Sequence, residues 1–564
     1  MRGRWTGVLV CAAGLAWGWS AWAQGPRAIA PAEAVDADVA AEEEAVDHPR
    51  DRGDVRLELM HSLEFAGVRS ISAAPNGAIV VGAGEEGVTA WRVSPTGELQ
   101  QRWRASAADL NAPDDWVTRA VRVSPDSRLV AIAIHPREPW RSPGRLAVVQ
   151  SSNGTVLWSG ETGYGPRAIG WLDNSRGFVV ADEGGIGIER EPVAEGEDGP
   201  GAVRAVIDPP GSATIVRTFT GDWRDADPTT LTFTRDKVVP EGSMSAQQGR
   251  QVRVHPLNAL TVELDFEPTG VATLGRIAYL IMPANNAIAA VDVAQREVLH
   301  IRPLSSVQQR VDAGPADGGP NVNRLIRAMP MSTGLALYRD LGGTPLLVTA
   351  GTGVLRGDLR DPVAPFHDHA PMSVLIEEGF VGERLSEVAA MMDPAQFGSL
   401  KVCMSFGVDP GMGLVRPHIF GSRSITIWEG TTLEFASDTE EAIESRIARD
   451  HPQHFNARPE TPNEPDATSS STGPELASID VARMGDRVLA VSALRNPGGL
   501  AIADVTERDG AELVGLALTV ADDGLGTADA VWVRWGGVWL VASAHETSGR
   551  VLVHRLVPTG DRSR

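Results

Sequence analysis

GRIAYLIMPANNAIAAVDV, residues Gly275–Val293, is two apolar segments rich in β-branched and small residues, broken by Pro-Ala-Asn-Asn and closed by Asp-Val. That pattern predicts a tight hairpin of two strands. The same grammar returns as GAIVVGAGEEGVTAWRV from Gly77 and as SRLVAIAIHP from Ser127 with GRLAVVQSSNGTVL from Gly144. It returns again as DRVLAVSALRNPGGLAIADV from Asp486 and GVWLVASAHETSGRVLVHRL from Gly537. Self-similarity of this kind marks a repeat architecture.

At 564 residues the chain is longer than one hydrophobic core normally grows, so a repeat array is expected in place of a single compact core. An apolar content of 42% can build such an array, and 60 Gly with 38 Pro suit many short strands joined by turns. Paired strand runs fall near 77–99, 127–157, 175–218, 275–299, 343–435, 486–513 and 537–557, and the last is expected to pair with 55–70. The reading is an all-β, seven-bladed β-propeller over 55–558 with a few helical insertions, because a closed ring buries faces that an open stack would expose.

Insertions are expected around 219–262 and 303–330, both polar and turn-rich, and around 362–400. In the third, Leu385, Val388, Ala389 and Met392 fall at helical spacing. A helix is also expected from Asp438, which would cap it, with Ile443 and Ile447 on one apolar face. A polar loop follows over 451–475, and a short tail over 559–564.

The N-terminus reads as a signal peptide over 1–23. Arg2 and Arg4 precede an apolar run, and Ala21-Trp22-Ala23 supplies small residues for cleavage after Ala23. Cys11 leaves with it, so a mature chain holds Cys403 alone and uses no internal disulfide. Residues 24–54 are rich in Ala, Asp and Glu and read as a flexible acidic linker. No later apolar run reaches the roughly 18 residues of a membrane span. The expectation is a secreted or periplasmic, monomeric protein. A formal charge of −22 disfavours nucleic acid and anionic membranes and favours calcium or basic partners. Basic residues are almost all arginine, with Lys237 and Lys401 the only lysines.

Four segments resemble one known family. LDFEPTGVATLGRIAYLIMPANNAIAAVDVAQREVLHIRPL from Leu264 carries a Glu-Pro pair before one strand and an Asn-Asn-Ala strand after it. PLLVTAGTG from Pro345, HIFGSRSITIWEGTTLEFASD from His418 and WLVASAHETSGRVLVHRL from Trp539 follow in order. Together they are similar to choice-of-anchor I proteins over about 57–558. The resemblance implies an exported β-propeller of the YVTN/WD40-like kind, akin to mesenchyme-specific cell-surface glycoproteins, in a divergent member. Relatives carry acidic clusters at strand starts and are sometimes labelled alkaline phosphatases. Here Asp182-Glu183-Gly184-Gly185 lacks the second acid, Glu267-Pro268-Thr269 and Pro474-Glu475-Leu476-Ala477 keep one glutamate each, and Ala350-Gly351-Thr352-Gly353 keeps none.

Strand starts converge on the central channel of a propeller, where Ca²⁺ would take six to eight oxygens. Glu183, Glu267, Glu475 and Glu546 are therefore the candidate metal ligands. The plainer reading has them accepting backbone N–H bonds at turns. Phe366-His367-Asp368-His369 offers two imidazoles and a carboxylate but lacks a further ligand nearby, and reads as a polar turn in an exposed loop. His451 and His454 read as loop residues, because Pro452 interrupts the helix. Cys403 lies in an apolar strand-like run and reads as a small hydrophobe. Trp532, Trp535 and Trp539 alternate in VWVRWGGVWLV as sheet packing requires, and G-x-S-x-G, HExxH, Walker and CxxC motifs are absent from the sequence. The expected function is a non-catalytic scaffold that binds a protein or glycan partner, with Ca²⁺ as the metal to test. The alternative is a metal-dependent phosphoesterase using the channel glutamates.

Overall fold

The structure, a computed structural model, describes residues 54–94, 96–185, 187–190, 203–239, 251–254, 262–356, 367–380, 388–409, 413–519 and 526–559. The signal peptide, the acidic segment up to residue 53 and the tail beyond Thr559 lie outside them. Among these residues run seven four-stranded antiparallel sheets, here numbered I (70–105), II (117–161), III (166–232), IV (270–303), V (334–438), VI (476–518) and VII (527–558). Sheet VII takes its fourth strand from the other end of the chain, where Val55–Glu64 lies antiparallel to Arg550–Pro558. The seven first strands line one central cavity. Each packs beside the first strands of the sheets before and after it, and Thr527–Trp535 returns to Ser70–Ala73. The fold is an all-β, propeller-like ring.

The uninterrupted apolar runs follow from this geometry. A middle strand is covered on both faces by neighbouring sheets, and its side chains alternate between them. In Ile79–Gly84, Val81 packs with Val121, Ile132 and Val149 between sheets I and II, while Val80 packs with Val531, Val533 and Leu540 between sheets VII and I. Each remaining boundary has its own buried cluster, so the hydrophobic core is divided into wedges around the ring.

First strands are also tied across sheet boundaries. Val123 N–H donates to Ser72 Oγ at 3.1 Å, Ala530 N–H to Ser478 Oγ at 3.1 Å, Trp532 N–H to Asp480 at 2.9 Å and Ile71 N–H to Asp529 at 2.9 Å. These side chains satisfy backbone donors left unpaired where adjacent sheets fan apart. At the seam, Gly77 (φ 70°) is required outright. A Cβ there would lie 1.7 Å from the Arg534 carbonyl oxygen across the VII–I boundary.

The stretches read as insertions do more building than expected. Residues 219–262 contribute Asp227–Thr232, the fourth strand of sheet III, whose Thr-Thr-Leu-Thr alternation is that of a half-exposed outer strand. Residues 303–330 supply Val307–Val311 and Arg324–Met329, and residues 362–400 supply His369–Pro371. With Lys401–Cys403 and His418–Phe420 they form a separate five-stranded sheet. Within the third stretch Met372–Glu377 and Val388–Met392 are helical, while Leu385 lies outside the described residues. Cys403 is fully buried in its strand.

The helix at Ala442–Asp450 buries Ile443 and Ile447 as expected, but Asp438 does not cap it. Asp438 ends strand Phe435–Asp438 and accepts the Glu440 N–H at 3.1 Å. The loop over 451–475 is packed against the body of the protein. Arg423, wholly buried, donates to Glu444 at 2.8 Å and to the Ser469 carbonyl at 2.5 Å, while Asn456 bridges Glu444 and Ser469. Asp368 and His369 are buried too, contrary to an exposed turn, because Asp368 neutralises the buried guanidinium of Arg253. Phe366 lies outside the described residues, and His367 is half-buried.

Ile132 is fully buried at the I–II boundary. Ile132→Ala is expected to cost about 2–5 kcal/mol, read as a lower midpoint in urea denaturation with an unchanged folded spectrum.

Candidate functional site

In an antiparallel sheet of four strands, the second-to-third turn and the link to the next sheet emerge at the end where the first strand starts. Among the described residues the links at the other end are shorter, from two residues at 275–276 and 485–486 to nine at 218–226. Every long connection leaves from the strand-start end. These include 183–211, 233–269, 304–333, 351–424, which holds much of the five-stranded sheet, and 439–475. One mouth of the central cavity, about 980 Å³ in volume, lies at this end, and the lining continues to Pro75, Arg483 and Arg534 at the other.

All four candidate glutamates line this cavity, and each is engaged by an arginine. Arg167 lies 3.3 Å from Glu183, Arg69 3.1 Å from Glu546, Arg356 2.8 Å from Glu267, and Arg495 pairs with Glu475. Arg356 also pairs with Asp265. The expectation of backbone N–H partners is corrected, since guanidinium groups take that place. Burial pushes the Glu267 carboxyl up to about 7, with Arg356 pulling against it. Among the described residues no group of three or more His, Cys, Asp or Glu side chains is placed to hold a metal.

The arginines were not singled out in the sequence, although a signal exists. Arg69-Ser70-Ile71, Arg119-Ala120-Val121 and Arg167-Ala168-Ile169 are the same tripeptide pattern at the start of the first strands of sheets I, II and III. The corresponding residue is Thr269 in sheet IV, Thr333 in V, Ala477 in VI and Ala528 in VII. Thr333 Oγ1 donates to the Ala477 carbonyl at 2.7 Å, so it is used in joining sheets. Arginines thus occupy one arc of the mouth.

The Asn-Asn turn of the hairpin at Gly275–Val293 organises the opposite arc. Asn285 Nδ2 donates to the carbonyls of Arg253 at 2.9 Å and Asp265 at 2.8 Å, and its Oδ1 accepts the Glu267 N–H at 3.3 Å. Asn286 Nδ2 donates to the Leu304 carbonyl at 2.9 Å, and its Oδ1 accepts the Met331 N–H at 3.1 Å. Both amides are completely buried, so this turn clamps the long connections that frame the mouth.

A model of the choice-of-anchor I domain matches residues 70–508, more than three quarters of the chain and including this turn. The chain belongs to the choice-of-anchor I domain family. No curated protein matches it. Among solved structures it is similar to the β-propeller domain of Myceliophteria thermophila Cps50 (Swd1), at 9% identity and a TM-score of 0.41, over 88% of this chain and 99% of that one. The C-terminal WD40 domain of Sif2 matches at 9% identity and 0.40, over 89% and 98%. Kuenenia stuttgartiensis hydrazine synthase matches at 12% and 0.43, over 88% and 97%.

Next to Glu183, Asp182 is fully buried and accepts hydroxyls from Thr162 and Thr214 at 2.7 Å each and from Ser212 at 3.0 Å. Burial outweighs those bonds and raises its carboxyl from 3.8 to about 6. The folded chain then holds this proton more tightly than the unfolded one, so the contribution of Asp182 to stability falls as pH rises from about 4 to about 6. Asp182→Asn is expected to remove that slope, seen as a flatter melting temperature against pH over this window than in the wild type.

Proposed function

We propose that this member of the family is an exported, seven-bladed, non-catalytic scaffold that binds a protein or glycan ligand at the strand-start mouth of its ring. The observation carrying this reading is the gathering, among the described residues, of the longest connections around the cavity mouth lined by Glu183, Glu267, Glu475 and Glu546, opposite an end of shorter links. Recognition generally sits on long connections held by a rigid framework. The Ala21-Trp22-Ala23 site behind an apolar run supports export. Seven four-stranded sheets, the last completed by Val55–Glu64, support the blade count.

The phosphoesterase alternative and a structural Ca²⁺ both need the channel carboxylates as metal ligands. Glu183, Glu267, Glu475 and Glu546 are each ion-paired with a guanidinium, and a cation would have to displace those partners.

Two measurements test the scaffold. The purified protein is expected to hydrolyse no phosphomonoester with Zn²⁺, Mg²⁺ or Ca²⁺ added, and its melting temperature is expected to be unmoved by Ca²⁺ or by a chelator. Turnover that both Glu183→Gln and Glu267→Gln abolish would overturn the reading. In a thermal-shift screen of glycans and peptides, a ligand is expected whose binding is weakened by Glu475→Gln at the mouth and untouched by Glu98→Gln, which sits exposed in a short turn at the opposite end.

A further inference from the structure

Arg119 differs from the other arginines of the mouth. Its neighbours at the equivalent position, Arg69 and Arg167, are each neutralised by a glutamate, and Arg119 lies on the strand between theirs. Among the described residues its guanidinium has no hydrogen bond or ion pair, although it lines the cavity and keeps part of its surface open to it. The strand-start arginines of sheets I to III are therefore three guanidinium groups against two carboxylates, Glu183 of sheet III and Glu546 of sheet VII. A half-buried guanidinium without a partner carries a desolvation cost that a ligand's negative charge would offset.

Resting on the scaffold reading above, we infer that Arg119 is an anion-binding residue and that it receives an oxyanion group, carboxylate or phosphate, of a ligand entering the channel mouth. A guanidinium offers a planar fork of N–H donors that matches two oxygens of such a group. Loss of water around Arg119, together with the charge of Arg167 and then Arg69, pulls its pKa down to about 9 against the opposing pull of Glu183 and Glu546. An incoming anion relieves the same penalty. The chain as a whole carries a formal −22, which repels polyanions such as nucleic acid. The fitting ligand is an otherwise uncharged molecule bearing one oxyanion group. Glu183 and Glu546, already occupied by Arg167 and Arg69, leave Arg119 free to accept it.

The test uses the full chain at constant ionic strength, with inorganic phosphate, glucuronate and uncharged glucose as probes, read by calorimetry and by thermal shift. Saturable binding of phosphate or glucuronate and none of glucose is expected, and which of the two anions binds identifies the oxyanion. Arg119→Gln is expected to weaken that binding by about tenfold or more, with a melting temperature without ligand equal to or above that of the wild type, since a half-buried unpaired charge is gone. Arg119→Lys, which keeps the charge and loses the fork, is expected to bind with intermediate affinity, and it serves if the glutamine variant fails to fold. Binding unchanged in both variants would overturn the inference. So would the absence of saturable binding by the wild type up to about 100 mM anion, a concentration well above the Kd of a weak complex. A neutral ligand from the glycan and peptide screen that binds at the mouth and ignores both variants would sink this inference alone and leave the scaffold standing.

Discussion

Each of the seven four-stranded sheets is apolar on both faces, and so each needs a neighbour on both sides. A fully buried Val, Leu or Ile contributes about 1.5–3 kcal/mol relative to an exposed one. The cluster at the VII–I boundary holds more than half a dozen such side chains, among them Val80, Val531, Val551 and Val553. Leaving that boundary open would forfeit an amount comparable to the whole 5–15 kcal/mol by which folded domains normally exceed unfolded ones. Closure of the ring is therefore a condition for the other boundaries to form a stable protein, and the pairing of Val55–Glu64 with Arg550–Pro558 ties the two ends of the chain into that closure.

Closure also explains why charge collects where it does. Side chains of the middle strands are committed to the wedges between sheets, so polar variety is left to the first strands, the turns and the long connections. Carboxylates and guanidinium groups of the first-strand starts meet around the cavity mouth, where low solvent access makes unpaired charge expensive. Pairing follows at Glu183, Glu267, Glu475 and Glu546. Among the described strand-start arginines of sheets I to III, Arg119 departs from that rule, and its position between two neutralised arginines gives the mouth a local excess of positive charge on a strongly acidic chain.

Much of this was legible without coordinates. Alternation between two neighbours and short Gly/Asn/Asp turns marked the strands, and the convergence of strand starts placed the four glutamates at one channel before any distance was known. The stretches 219–262, 303–330 and 362–400 read as insertions in the sequence, yet they supply strands. Their strands are short, interrupted and partly polar, and Val307–Val311 and His369–Pro371 become strands only because partners far along the chain pair with them. Asp368 reads as a solvated acid until Arg253, 115 residues away, is brought against it in the interior. The arginine partners were hidden for the same reason. Arg356 and Glu267 are 89 residues apart, and no local pattern links them.

Sequence by itself determined the repeating strand grammar, the buried hairpins of sheets I, II, IV, VI and VII and the family, because these depend on local periodicity and on turn chemistry that acts within a few residues. Only the tertiary structure decided what the acidic strand starts are for. Whether a carboxylate meets a cation, a backbone N–H or a metal depends on which distant segment closes over it, and in this ring the segments that close over them bring arginine.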